Sequence, residues 1–317
     1  MQTKNYVLGI DTSNYTTSVA VVNHAGEIIC DIRKPLKVKE GEIGLRQSHA
    51  FFQHVETFPE LIEKAMKGEN SNIKAIAVSD KPRQYDFSYM PTFKAGESIA
   101  TSIAHALNVP IFKFSHQEGH VEAVKYYSSL KDKTNFLCYH LSGGTNELLK
   151  VTGDEIKIIG ATKDISFGQV LDRLGVMLDI TFPCGAALDE IALNTEGQSK
   201  FLKAISIDGL NINLSGIETQ AARTLLSGIT SDEKQLLVKE IFNNMANVLI
   251  KLTEKAVIQT DYDDVLFVGG VSGSEFLSSK LHAHFEKSSV NLEFGDQKLS
   301  SDNAVGIALL GRKKLWQ

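Results

Sequence analysis

Tyr6-Val7-Leu8-Gly9-Ile10-Asp11-Thr12-Ser13-Asn14 opens the chain, and Asn135-Phe136-Leu137-Cys138-Tyr139-His140-Leu141-Ser142-Gly143-Gly144-Thr145-Asn146 repeats its design in the second half. Each is an apolar run of strand character that breaks into a small polar turn and resumes, at 17–22 and at 147–151. The hydroxyl-rich first turn suits phosphate binding by backbone amides, with Asp11 beside it to hold a metal ion or water. In the second turn, glycines let the backbone approach a bulky anion. Either turn alone reads equally as a plain hairpin connection, because such turns recur for geometric reasons. Together they point to a duplicated unit with a nucleotide between two lobes.

Outward from these hairpins, strands alternate with helices, which implies an α/β layer rather than a bundle. Apolar residues at helical intervals predict a helix over 47–67 ended by Gly68, with His54 on it as a packed or surface histidine. A strand at 73–79, a polar and aromatic loop at 81–91, a helix at 92–108 and a strand at 109–114 follow. In the second half, helices are expected at 168–178, 186–193, 231–258, 275–285 and 304–313, with strands near 211–213 and at 264–268. The strand at 264–268 runs into Gly269-Gly270-Val271-Ser272-Gly273-Ser274 and a helix N-terminus, an order that cradles anions.

Between the halves lies Ser115-His116-Gln117-Glu118-Gly119-His120. Ser115 and Glu118 have the spacing of a capping box, which starts a helix at His116. His116 and His120 then share one helix face a turn apart, able to grip a transition-metal ion or to hydrogen-bond carbonyls and water at a helix rim. Asp302, before the last helix, reads by itself as an N-cap.

The 317 residues suit two lobes, and a formal charge of −5 gives no sign of tight unassisted nucleic-acid binding. Basic residues gather only in the runs 33–39 and 312–314. Cys30, Cys138 and Cys184 are odd in number and far apart, which fits a reducing compartment and excludes a disulfide scaffold. With neither an apparent leader nor a bilayer-length apolar run, the expectation is a cytoplasmic protein without membrane contact. No motif supplies an activated nucleophile for proteolysis, and Ser272 sits outside any nucleophile elbow.

Seven segments, in order, resemble the family of threonylcarbamoyltransferases that make threonylcarbamoyladenosine in tRNA, formerly called O-sialoglycoprotein endopeptidases. Gly9-Ile10-Asp11-Thr12-Ser13 resembles the family's G-I-E-T-S, and Ser115-His116-Gln117-Glu118-Gly119-His120 its N-H-x-x-G-H. Leu141-Ser142-Gly143-Gly144 is similar to V-S-G-G, and Gly168, Asp172 and Gly185 fall where G-E-A-F-D-K and P-G-G stand. Leu214-Ser215-Gly216-Ile217 resembles F-S-G-L, Gly269-Gly270-Val271 resembles G-G-V-A-A-N, and Ser301-Asp302-Asn303-Ala304 resembles T-D-N-A.

The resemblance implies a two-lobed fold of the actin, Hsp70 and sugar-kinase kind, a duplicated ribonuclease H-like α/β architecture. The lobes expected are 1–112, with 304–317 returning to it, and 113–303, with the metal and nucleotide cleft between. It implies one divalent metal ion, iron or zinc, on His116, His120 and Asp302, with His140 as a further ligand where some members place a tyrosine. For ATP or an acyl-adenylate it implies Ser142, Gly143, Gly144, Asp172, Gly185, Asp189, Gly269, Gly270 and Ser274, with Asp11 catalytic. The implied activity is metal-dependent threonylcarbamoyl transfer, with nucleotide, tRNA and a partner protein as candidate partners. The alternative is a non-catalytic relative that binds metal and nucleotide as a subunit or regulator.

Departures from the family cluster where chemistry is expected. T-S-C-D-E-T reads Thr12-Ser13-Asn14-Tyr15-Thr16-Thr17, and G-P-G-L is replaced by Lys81-Pro82-Arg83-Gln84. F-S-G-L-K-T becomes Leu214-Ser215-Gly216-Ile217-Glu218-Thr219, an anion in place of a cation, and Ser274 replaces an asparagine. These changes imply a divergent paralogue and leave two acceptors open, tRNA or another substrate.

Overall fold

The structure, a computed structural model, describes residues 5–13, 15–38, 45–67 and 72–316, the side chain of Gln297 excepted. Asn14 of the first turn, Lys39 and the expected helix stop at Gly68 lie outside the described residues. The chain divides into two compact units, Met1–Tyr127 with Ser301–Gln317, and Ser128–Ser300.

The first unit is built on β1 (Tyr6–Thr12), β2 (Thr16–Asn23), β3 (Ile28–Pro35), β4 (Ile73–Lys81) and β5 (Ile111–Ser115), in the order β3-β2-β1-β4-β5. The first three form an antiparallel meander, and β4 and β5 join in parallel. Every residue of β1 is buried, as its nearly unbroken apolar run requires of a central strand covered on both faces. Helices α1 (Gln47–Ala65) and α2 (Phe93–Leu107) cover one face, where Leu8, Ile10, Val78, Phe58 and Ala100 share a core. Helix α3 (His116–Tyr126) follows β5 directly, so the segment from 113 to 127, expected in the second lobe, belongs to the first unit. The reason is covalent: a strand paired to β4 delivers the helix with no linker between them.

The second unit repeats the plan with β6 (Asn135–Leu141), β7 (Asn146–Thr152), β8 (Glu155–Ala161), β11 (Asp264–Val268) and β12 (Asn291–Phe294), in the order β12-β11-β6-β7-β8. Again a meander of three strands carries two parallel strands on its first member. The short pair β9 (Ile207–Asp208) and β10 (Asn211–Ile212) stands apart from that sheet. Helices α4 (Phe167–Met177), α5 (Gly185–Asn194), α6 (Ser215–Leu226), α7 (Ser231–Thr260) and α8 (Glu275–Phe285) follow; all but α6, for which the sequence sets no bounds, match the expected ranges to within a residue or two at each end. Leu237, Ile241, Phe242, Met245 and Leu249 form the buried stripe of α7 against Tyr139 and Phe267. β8 and β12 are not marked in the sequence, because their partly exposed edges show no clean alternation. After the four-residue α9 (Gln297–Ser300), the chain re-enters the first unit as α10 (Val305–Trp316), which packs on α3 and on β1, β2 and β4. Among the described residues no helix is long and apolar enough to cross a membrane.

Candidate metal centre and glycine cradle

The capping box expected at Ser115 is present in full: Ser115 Oγ accepts the Glu118 amide, and Glu118 Oε2 accepts the Ser115 amide. It starts α3 at the residue that puts His116 and His120 on one face, and their Nε2 atoms lie 3.0 Å apart. Asp302 Oδ1 lies 3.5 Å from His116 Nε2 and 3.3 Å from His120 Nε2. Asp302 is not the cap of α10, because Asn303 Oδ1 accepts the Val305 amide and leaves the aspartate to face the imidazoles.

What brings Asp302 there is a helix crossing. A Cβ added at Gly306 would stand 1.8 Å from the Gly119 carbonyl oxygen, so α10 passes α3 backbone to backbone between the two histidines. Two outer carboxylate contacts aim the group. Asp11 Oδ1 accepts His116 Nδ1–H at 2.8 Å, which orients the ring with Nε2 turned inward, the nitrogen that would give up its proton to a metal ion. Ser13 Oγ donates to Asp302 Oδ2 at 2.6 Å and holds Oδ1 toward the imidazoles. Asp11, expected to be catalytic, contacts the His116 ring in this geometry.

Burial disfavours a charged His116, but the Asp11 and Asp302 carboxylates outweigh it and push the group up to about 10. Burial likewise works against ionised Asp302, yet hydrogen bonds from His116 and His120 hold it well below the usual carboxylate range. The donor set, two imidazole nitrogens and a carboxylate oxygen all within 4.8 Å of one another, fits a borderline divalent ion such as zinc or iron. It is the group of three that converges among the described residues; His140 stands in the second unit.

The two outer contacts carry no signal in local spacing, although Asp11 and Ser13 both lie in the opening hairpin. His54, on the sequence either packed or surface, is fully buried with Nδ1 2.8 Å from Thr17 Oγ1. Burial lowers its pKa, with a backbone hydrogen bond to Ser13 and the Asp11 charge opposing.

In the second unit the predicted glycines meet at the carboxyl ends of two parallel strands, with His140 of β6 beside Val268 of β11 in register. This is the edge of an α/β sheet where ligands bind. Ser142 Oγ accepts the Thr145 amide, closing the turn, and the Gly143 carbonyl accepts Ser166 Oγ at 2.6 Å. Gly269 has φ +93°, and a Cβ there would come 2.3 Å from the Leu141 carbonyl oxygen and 3.2 Å from the His140 ring. At Gly143, Gly144, Gly185 and Gly270 a Cβ would meet nothing within 4 Å, so these backbones face open space.

The predicted carboxylates are engaged with backbone. Asp172 Oδ1 accepts the Cys184 amide at 3.0 Å, tying α4 to the start of α5, and desolvation raises its pKa. Asp189 receives Ser274 Oγ, the Glu275 amide at 2.9 Å and the Phe276 amide at 3.3 Å, and so caps α8. Glu218, the anion where the resembled family has lysine, lies 3.6 Å from Arg173 Nη1, which offsets its charge.

Comparison with known proteins places the chain in a family and a fold class. A sequence profile for the family TsaD, tRNA N6-adenosine threonylcarbamoyltransferase, matches residues 37–309. The tRNA N6-adenosine threonylcarbamoyltransferase of Neorickettsia sennetsu is 28% identical over 317 residues, covering 98% of this chain and 93% of that one. Among solved structures, component A of the (R)-2-hydroxyglutaryl-CoA dehydratase of Acidaminococcus fermentans superposes with a TM-score of 0.59 at 15% identity, covering 98% of this chain and 99% of that one. A ROK family glucokinase from Streptomyces griseus gives a TM-score of 0.52 at 12% identity, covering 97% and 99%. At such identities the structures speak for the fold alone, the actin-like and sugar-kinase-like α/β architecture. The profile spans most of the sequence, and the chain belongs to the tRNA N6-adenosine threonylcarbamoyltransferase family.

Proposed function

We propose that this chain transfers a threonylcarbamoyl group from its adenylate to the exocyclic amine of an adenosine in tRNA. The observation that carries the reading is the convergence of His116, His120 and Asp302, aimed from behind by Asp11 and Ser13. A divalent iron or zinc ion held by those three would supply Lewis-acid polarisation of a substrate oxygen. The chain's own residues prepare the site. Asp11 holds His116 through Nδ1–H so that Nε2, on giving up its proton, would face the ion, and Ser13 keeps one Asp302 oxygen turned inward. The Ser142-Gly143-Gly144 turn and the Gly269-Gly270 turn are the proposed seat of the nucleotide, where open backbone leaves room for phosphates. Asp172 and Asp189 support that seat by fixing the starts of α5 and α8.

The test is transfer itself. Protein reconstituted with iron or zinc is mixed with threonylcarbamoyl-adenylate and unmodified tRNA, and the modified nucleoside is quantified after digestion. Product that disappears in His116→Ala together with the metal supports the reading. Metal-loaded, folded protein that forms no product from this donor and tRNA would reject it.

A further inference from the structure

The loop between β4 and α2 holds three aromatic side chains out in solvent: Tyr85 is 48% exposed, Phe87 94% and Tyr89 65%. Exposed rings at alternate positions of one loop cost apolar hydration that a monomer has no reason to bear, and such clusters mark binding surfaces. The loop is internally built. The Arg83 amide donates to Ser88 Oγ at 2.9 Å, and the Ser88 amide donates to the Tyr85 carbonyl at 3.1 Å. Its base is fastened to the helix of the metal centre. The Gln117 amide donates to the Pro82 carbonyl at 3.1 Å, and Gln84 Nε2 donates to Glu118 Oε1 at 3.2 Å. Glu118 is the capping-box residue whose other oxygen holds the Ser115 amide, one residue before His116. The three rings therefore ride on a mount referenced to the first turn of α3.

Lys81 and Arg83 precede the rings in sequence and Asp86 stands between Tyr85 and Phe87, so the two cations lie at one end of the aromatic run. That combination suits single-stranded nucleic acid: bases stack on the rings while the cations meet phosphates. A duplex hides the faces of its bases and offers the rings little. An acidic or purely apolar partner would use only half of the pattern.

We propose that Tyr85, Phe87 and Tyr89 form a stacking platform for unpaired bases of the RNA acceptor, mounted on the metal-centre helix. The inference rests on the transfer reading for the identity of the acceptor, and it assigns the loop that replaces the family's G-P-G-L a specificity-determining role.

The probes are a synthetic RNA hairpin with an adenosine-containing unpaired loop and a blunt RNA duplex of the same stem. Binding to the full chain is followed by fluorescence anisotropy, without acyl donor. Each ring removed by Phe87→Ala or Tyr89→Ala is expected to weaken hairpin binding roughly five- to 150-fold. The exchanges Phe87→Tyr and Tyr89→Phe should restore it, and the blunt duplex should be indifferent. Bound metal and the unfolding midpoint should stay at parent values, because the rings contribute nothing to the core. The platform is overturned if the parent does not bind the hairpin, or if the alanine variants bind it as tightly as the parent. It is also overturned if the loss is equal on the duplex, or if the rings matter only for retaining a protein partner. Ring-dependent binding without transfer would sink the transfer reading alone. Transfer with ring-independent binding would sink the platform alone.

Discussion

Replacing Gly306 by alanine tests how the metal centre is assembled. The added Cβ would begin 1.8 Å from the Gly119 carbonyl oxygen, and the next obstacles, the Gly119 carbonyl carbon and the Ala123 amide, are also backbone. A relaxed carbon–oxygen contact needs about 3.3 Å. Helix α10 would therefore have to withdraw from α3 by roughly 1.5 Å, and Asp302 would move with it, since a rigid backbone cannot rotate aside. Overpacking of this kind costs about 1–3 kcal/mol, partly offset by the ~1 kcal/mol that alanine gains over glycine in a helix. The larger effect falls on the metal, because ligand distances tolerate only about 0.2 Å. Affinity for zinc, measured by competition with a chromophoric chelator, should fall at least about tenfold, as when an outer partner is lost. The control is Gly119→Ala, one residue before His120. There the obstacles are side-chain atoms of Ile307, Cδ1 at 2.8 Å and Cγ1 at 2.9 Å, and the nearest backbone atom is 3.7 Å away, so a side chain rather than a helix has to shift. That variant should keep metal affinity to within about threefold, a difference of less than ~0.7 kcal/mol. Equal zinc affinity in Gly306→Ala and the parent, both folded, would refute the claim that the helix crossing sets the centre.

Three further outcomes follow from carboxylate contacts. Asp11→Asn keeps the shape behind His116 but removes the charge, and chelator competition should show zinc affinity lowered about tenfold or more, with the unfolding midpoint little changed. Asp189→Ala leaves two amides at the start of α8 without their acceptor, so denaturant unfolding should show a loss of about 2–4 kcal/mol; an unchanged midpoint would return Asp189 to a purely ligand-binding role. Asp164 accepts the amides of Ile165, Leu214 and Ser215, and although burial works against its charge, these bonds hold it far below the usual carboxylate range. A depressed folded pKa means stability that is present above the unfolded value near 3.9 and lost as pH falls below it. Asp164 is exposed, so solvent screening discounts this linkage, and Asp164→Ala should cost about 0.5–1 kcal/mol at pH 7, with the gap to the parent closing below about pH 4.

What could be read without coordinates was whatever neighbouring residues decide among themselves. Ser115 and Glu118 cap a helix because their atoms meet across a single turn, so the pairing of His116 with His120 followed from spacing. The strand at Asp264–Val268 and the helix at Glu275–Phe285 were equally plain, since apolar runs and periodicity are local. Resemblance added Asp302 to the pair, but its reason is tertiary: Asn303 takes over the cap and Gly306 admits the Gly119 carbonyl. Carboxylates showed the boundary most sharply. On paper Asp11, Asp172, Asp189 and Asp302 are alike, each able to serve a metal, a phosphate or a backbone amide. In the folded chain one aims an imidazole, two tie down helix starts, and one faces two histidines. An aspartate reaches only a few ångströms, and its choice is made by which donors the packing of distant segments leaves within that reach.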